Sequence, residues 1–70
     1  MTTLRKRSVM LAGHATSLAL EQEFWSVLEA LAKSQELSLA ALLAEIDGSR
    51  GERPLASACR VAALGFASGR

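Results

Sequence analysis

Larger and smaller side chains alternate near the start of the chain, and this alternation predicts one strand. In segment 14–20 the larger side chains share one face, and they are Thr16, Leu18 and Leu20. The opposite face carries Ala15, Ser17 and Ala19. A single strand leaves its backbone donors and acceptors unpaired, and no convincing second strand follows it in the sequence. The pattern therefore predicts antiparallel pairing with the same strand of a second copy, which gives an intermolecular two-stranded ribbon and an obligate homodimer.

Helical periodicity follows this strand and predicts a mainly α chain. The first helix is expected from about Glu21 to Ser34, with an apolar stripe made of Phe24, Trp25, Val27, Leu28, Leu31 and Ala32. The second is expected between an N-cap at Ser38 and about Asp47, with a stripe made of Leu39, Leu42, Leu43 and Ile46. Pro54 then fits the first turn of a third helix, which carries Leu55, Ala58, Cys59, Ala62 and Phe66.

The length of the chain also favours association. A chain of 70 residues forms one small domain, and domains of this size commonly need disulfides, a metal or oligomerisation. Cys59 is the only cysteine, so an intrachain disulfide is excluded. Oligomerisation remains, and the core shared by the dimer is expected to contain Thr16, Leu18, Leu20, Phe24, Trp25, Leu28, Leu31, Leu42, Leu43 and Ile46.

The charges are distributed unevenly along the chain, although the net charge is only +1. Residues 1–20 hold three adjacent cations and no acid, and these cations are Arg5, Lys6 and Arg7. Residues 1–7 are interpreted as a flexible basic arm that contacts phosphates. Residues 8–11 fit either a separate short strand or the start of a longer one, with Gly13 at a bend or bulge. The acids lie between Glu21 and Glu52, and the tail carries Arg53, Arg60 and Arg70.

Several functional classes are disfavoured by what the sequence holds. With one histidine, one cysteine and no tyrosine, no nucleophile–base pair can be assembled, so we expect neither an enzyme nor a small-molecule substrate. Residues His14 and Cys59 stand apart, so neither a metal site nor a cofactor is expected. No apolar run reaches the roughly 20 residues of a membrane-spanning helix. A single reduced cysteine fits the cytoplasm.

The order of strand, helix, tight turn and Ser-capped helix resembles that of the ribbon-helix-helix DNA-binding proteins, the Arc/MetJ-type repressors. The resemblance lies in segments 16–25, 28–32 and 37–42. The whole chain is also similar to a small bacterial subfamily, through Arg5–Val9, Gly13-His14, Phe24-Trp25, Ala44–Asp47 and Ser57–Val61. On this resemblance, residues 14–47 form the ribbon-helix-helix core. Residues 1–13 precede it as arm and extended segment, and residues 48–70 add a loop and an extra C-terminal helix within the same domain.

The resemblance implies a homodimeric transcriptional regulator, a repressor, that lays its ribbon into the major groove of double-stranded DNA. The groove-facing positions are then Ala15, Ser17 and Ala19, and backbone amides near Ser38 and Leu39 hold a phosphate. Two features depart from the family pattern: alanine occupies two of the three groove positions, and Glu36 stands where the turn often has glycine. A second interpretation therefore stays open, namely a dimerisation or adaptor module, or an antitoxin-like protein, with weak or no sequence-specific DNA binding.

Overall fold

Two strands followed by three helices make up the chain, according to a computed structural model that describes residues 3–69. The strands are β1 (Leu4–Leu11) and β2 (His14–Glu21). The helices are α1 (Gln22–Ser34), α2 (Leu39–Ser49) and α3 (Leu55–Ala67). The predicted contributions of Arg70 and of residues 1 and 2 of the basic arm lie outside the described residues.

The partner of β2 lies in the same chain. Strands β1 and β2 form a two-stranded antiparallel sheet in which Leu11 faces His14 and Arg5 faces Leu20. The two-residue loop between them, Ala12-Gly13, has φ angles of 52° and 81°, as a type I′ turn requires. This turn matches the twist of the flanking strands and closes a hairpin. The inference that β2 must pair with a second copy is therefore corrected, and residues 4–7 are part of a strand and not of a flexible arm.

The helix boundaries agree closely with the sequence pattern, apart from α2, which continues to Ser49. Ser38 caps α2, because its hydroxyl oxygen accepts a hydrogen bond of 3.0 Å from the Ala41 N–H. Helix α1 ends in a Schellman motif, in which the Leu37 N–H donates to the Ala32 carbonyl at 2.9 Å. Glu36, which follows the C-cap residue Gln35, has φ = 58° and so occupies the left-handed conformation that usually belongs to glycine.

The hydrophobic core closes within one chain. Among the ten residues predicted to form a core shared by two copies, seven are buried here without a partner, and they are Leu18, Leu20, Trp25, Leu28, Leu42, Leu43 and Ile46. The other three are half-buried, and they are Thr16, Phe24 and Leu31. Within one chain, β1 and α3 already cover these residues, and their sharing with a second copy stays a prediction.

Helix α3 packs against α1 and α2 and also contacts β2. Its buried face consists of small side chains, Ala58, Cys59 and Ala63, which allow the helix to approach closely. The Arg60 guanidinium fixes it to the β2–α1 junction by an ion pair of 3.0 Å with Glu21, and it also lies over the Phe24 ring. Helix α3 therefore positions the sheet on the helices.

Candidate nucleic-acid interface

The hairpin has one face on the helices and one face in solvent. The register places four pairs on the helix side, and they are Arg5–Leu20, Arg7–Leu18, Val9–Thr16 and Leu11–His14. The four outward pairs are Leu4–Glu21, Lys6–Ala19, Ser8–Ser17 and Met10–Ala15. Burial follows this division, since Leu11, Leu18 and Leu20 are buried while Lys6, Ser8 and Met10 are exposed. We call the four outward pairs the outer face.

The three adjacent cations do not act as one group. The Arg7 guanidinium lies 4.6 Å from the centre of the Trp25 ring and donates to the Glu29 carboxylate at 3.1 Å. The backbone carbonyl of Arg5 accepts a hydrogen bond of 2.8 Å from the Trp25 indole N–H, while its side chain is exposed. Only Lys6 belongs to the outer face. Arg7 thus fastens β1 to α1, and Lys6 is the member of the triad that faces outward.

The predicted β2 positions lie where the sequence pattern placed them. Ala15 and Ser17 are exposed, and Ala19 is half-buried. The neighbouring half of the outer face comes from β1 through Lys6, Ser8 and Met10, of which only Lys6 was predicted to contact DNA, and then as a phosphate contact. The signal for it was the alternation within 4–11 together with the glycine of a two-residue turn.

The beginning of α2 offers backbone amides. The first hydrogen bond within the helix runs from the Leu42 N–H to the Ser38 carbonyl, at 3.0 Å. The amides of Leu39 and Ala40 precede this bond and, as at every helix N-terminus, have no partner within the helix. Ser38 itself is exposed and Leu39 is half-buried. Glu36, with its exposed carboxylate, lies in the turn just before this position.

Two ionisable groups have altered pKa values, and neither is arranged for catalysis. The pKa of the Glu21 carboxyl is lowered, chiefly by a hydrogen bond from its own backbone N–H and further by the Arg60 guanidinium. Burial raises the pKa of the Cys59 thiol to about 11. Within residues 3–69, no cluster of three or more His, Cys, Asp or Glu side chains could hold a metal ion. No helix there is long and apolar enough to cross a membrane.

The comparison with protein families gives a match over nearly the whole chain. A family model described as a ribbon-helix-helix domain matches residues 4–66. The chain belongs to this ribbon-helix-helix family. No curated protein and no solved structure matches the chain significantly.

The range of the match changes how two segments of this ribbon-helix-helix domain are interpreted. It begins at Leu4, the first residue of β1, so the hairpin lies within the family's domain. It ends at Phe66, so almost all of α3 lies within the family's domain too. Ribbon-helix-helix domains are generally DNA-binding regulators that dimerise, and they are typically without enzymatic activity.

Proposed function

We propose that this protein is a bacterial transcriptional regulator that binds duplex DNA through the outer face of its β1–β2 hairpin. The observation that carries the proposal is the hairpin itself. A two-stranded ribbon fits the major groove, and one chain presents such a ribbon with most of its outward side chains exposed. Family membership supports the same conclusion. Repression follows if the bound protein blocks access of polymerase to the promoter. Such a regulator works in the cytoplasm, where Cys59 stays reduced.

Phosphate contacts complete the proposed complex. Two elements are suited to them: the exposed cationic side chain of Arg5, and the first-turn amides of α2 near Ser38 and Leu39. Glu36 opposes a phosphate near the second element, because its carboxylate carries the same sign of charge. Binding is expected to weaken as salt rises, since each neutralised phosphate releases counterions.

We also propose that the regulator binds as a homodimer formed by surface contact. The dimerisation typical of the family supports association, while the closed core removes the need for a second copy in folding. Sedimentation analysis of the DNA complex should give two chains per operator. The thermal midpoint of the protein alone should not depend on concentration. A midpoint that rises with concentration would show that the free protein already dimerises, since any partner that binds only the folded chain stabilises it.

Selection of genomic DNA fragments by the purified protein at ~150 mM salt tests the proposed function, because non-specific contacts are already weak at this ionic strength. Recovery of a short repeated motif supports a regulator. Ser17→Asp places a negative charge in the centre of the outer face and should abolish binding to that motif. The matched control is Ser26→Asp, which makes the same change on the exposed surface of α1 and should preserve binding. Equal binding by the two variants would rule out insertion of the ribbon.

A second candidate function, an adaptor without specific DNA reading, is favoured by one observation on α3. Val61 and Leu64 are 53% and 63% exposed, and their spacing places them on the same side of the helix. Exposed apolar side chains of this kind commonly contact other proteins. The adaptor predicts that Leu64→Lys disrupts association while the genomic selection recovers no motif. If the selection recovers a motif, and the Leu64→Lys variant binds that motif as tightly as the parent protein does, the adaptor function is excluded.

A further inference from the structure

We propose that β1, and not β2, reads the DNA sequence, with Lys6 contacting guanine and Met10 contacting thymine about four base pairs away. The inference rests on the proposed DNA binding and names the chemistry of that same surface. It is carried by the pairing of long with small side chains across the hairpin. The family resemblance implied groove contacts on the β2 side alone, through Ala15, Ser17 and Ala19.

On the outer face, β1 contributes longer side chains than β2 does. Lys6 is opposite Ala19, and Met10 is opposite Ala15. Directly opposed side chains on one face of a sheet are roughly 4.5–5.5 Å apart at their Cβ atoms, so a large neighbour would crowd each long side chain. The alanines leave that space open. The long side chains of β1 consequently extend beyond β2, and the alanine-rich row of β2 provides clearance for them.

Lys6 is suited to a base contact because, among the three adjacent cations, its side chain alone belongs to the outer face. Arg7 is held by Trp25 and Glu29 on the helix side, and the register places Arg5 on that side too. Among residues 3–69, Lys6 takes part in none of the ion pairs, and its side chain is exposed. An ammonium group donates to the O6 and N7 acceptors that guanine presents in the major groove. Lys6 therefore favours guanine at the base pair beneath it.

Met10 supplies the second contact. It is 60% exposed and ends the outer row beside the hairpin turn. An apolar side chain in the major groove gains most from the methyl group of thymine. Between the two readers lies the Ser8–Ser17 pair, whose hydroxyl groups both donate and accept and so distinguish the bases poorly.

The strand fixes the distance between the two readers. Four residues of a strand span about 13 Å at ~3.3 Å per residue. Base pairs of B-DNA follow one another every ~3.4 Å, so this distance corresponds to about four base-pair steps. One chain thus selects a half-site in which guanine and thymine are about four base-pair steps apart, and it has little preference for the base pairs that lie between these two positions.

Selection from a random duplex library tests this inference with the full chain. The parent should enrich the spaced guanine and thymine. Lys6→Ala should lose about five- to 100-fold of the discrimination at the guanine position and keep the thymine preference. Lys6→Arg should keep guanine, because arginine reads the same acceptors. Met10→Ala should relax the thymine position alone. Lys33→Ala is the matched control, since it removes a cation from the exposed end of α1, and its motif should equal that of the parent.

The outcomes separate the inference from the proposed function. Enrichment of a motif that Lys6→Ala and Met10→Ala both retain overturns the inference and leaves DNA binding intact. Enrichment of no motif, with salt-sensitive binding to every duplex, overturns it as well. Failure of the folded parent to bind any duplex overturns the proposed function and the inference together. Circular dichroism of each variant confirms that the exposed substitutions leave the fold unchanged.

Discussion

Glu36 occupies a backbone conformation that suits glycine, and Glu36→Gly should stabilise the protein. Its φ angle of 58° lies in the left-handed region, where the Cβ atom of an L-residue crowds the following carbonyl oxygen. The side chain is exposed and takes part in no ion pair within residues 3–69, so its removal breaks no such contact. The Schellman hydrogen bonds of the turn involve only backbone atoms and survive the substitution.

The expected gain is the difference between two opposing effects. Release of the left-handed strain contributes ~1–2 kcal/mol. Glycine loses more conformational freedom on folding, which costs about 0.5–1 kcal/mol. The net stabilisation is then about 1 kcal/mol, and it raises the thermal midpoint of a domain of this size by roughly 4–8 °C.

Thermal unfolding followed by circular dichroism measures this gain, and Glu36→Ala is the control. Alanine removes the carboxylate but keeps the strained Cβ atom, so its midpoint should stay close to that of the parent. If Glu36→Ala gains as much as Glu36→Gly, then the charge and not the conformation is responsible. A lower midpoint for Glu36→Gly would refute the left-handed assignment. Both variants should bind DNA more tightly than the parent if α2 holds a phosphate, because both remove the opposing charge.

Three further predictions concern the interior. Leu18→Asp should unfold the chain, seen as loss of the helical signal, because an unpaired carboxylate would replace a buried leucine. Trp25→Phe should lower the free energy of unfolding in urea by about 2 kcal/mol, because it leaves the Arg5 carbonyl without its indole donor. Burial raises the pKa of the Cys59 thiol from an ordinary value of 9.0 to about 11, so the unfolded chain loses this proton first and stability should fall as pH rises through this window.

Each of these predictions has its own control. Ser17→Asp carries the same new charge on the outer face and should stay folded. Trp25→Phe keeps a ring beneath Arg7, so an unchanged urea midpoint would mean that the indole hydrogen bond contributes nothing. For the thiol, Cys59→Ala should unfold with a weaker pH dependence between pH 9 and 11. An identical dependence in parent and variant would show that the thiol is not the group responsible.

The helices and β2 could be predicted from the sequence because their burial is periodic. In α1 and α2 the apolar residues recur every three or four positions, and Ser38 shows where α2 begins. In β2 the alternation of Leu18 and Leu20 with small residues matches the observed faces. These patterns depend only on local backbone geometry, so they can be recognised in one sequence without knowledge of the tertiary contacts.

Strand β1 could not be predicted in the same way, because charge concealed its alternation. A run of cations in a sequence normally indicates a solvated tail. Here Arg5 and Arg7 instead lie on the side of the hairpin that faces the helices. Arg7 is accommodated there because Trp25 and Glu29, which are 18 and 22 positions away in the sequence, offer a ring and a carboxylate. The bend at Gly13 was not recognised as a two-residue hairpin turn, since Ala12 is not one of the residues that usually adopt a positive φ. The β1 half of the outer face was missed for the same reason.

The core that closes within one chain has a consequence for the rate at which this protein folds. Two chains that share a core fold by a second-order reaction, whose half-time lengthens as their concentration falls. Here the strands are joined by a two-residue turn and every helix packs against its neighbours along the sequence, so folding is a first-order reaction built largely from local contacts. A newly made chain therefore reaches its folded form at a rate set by its own sequence, however few copies the cell contains.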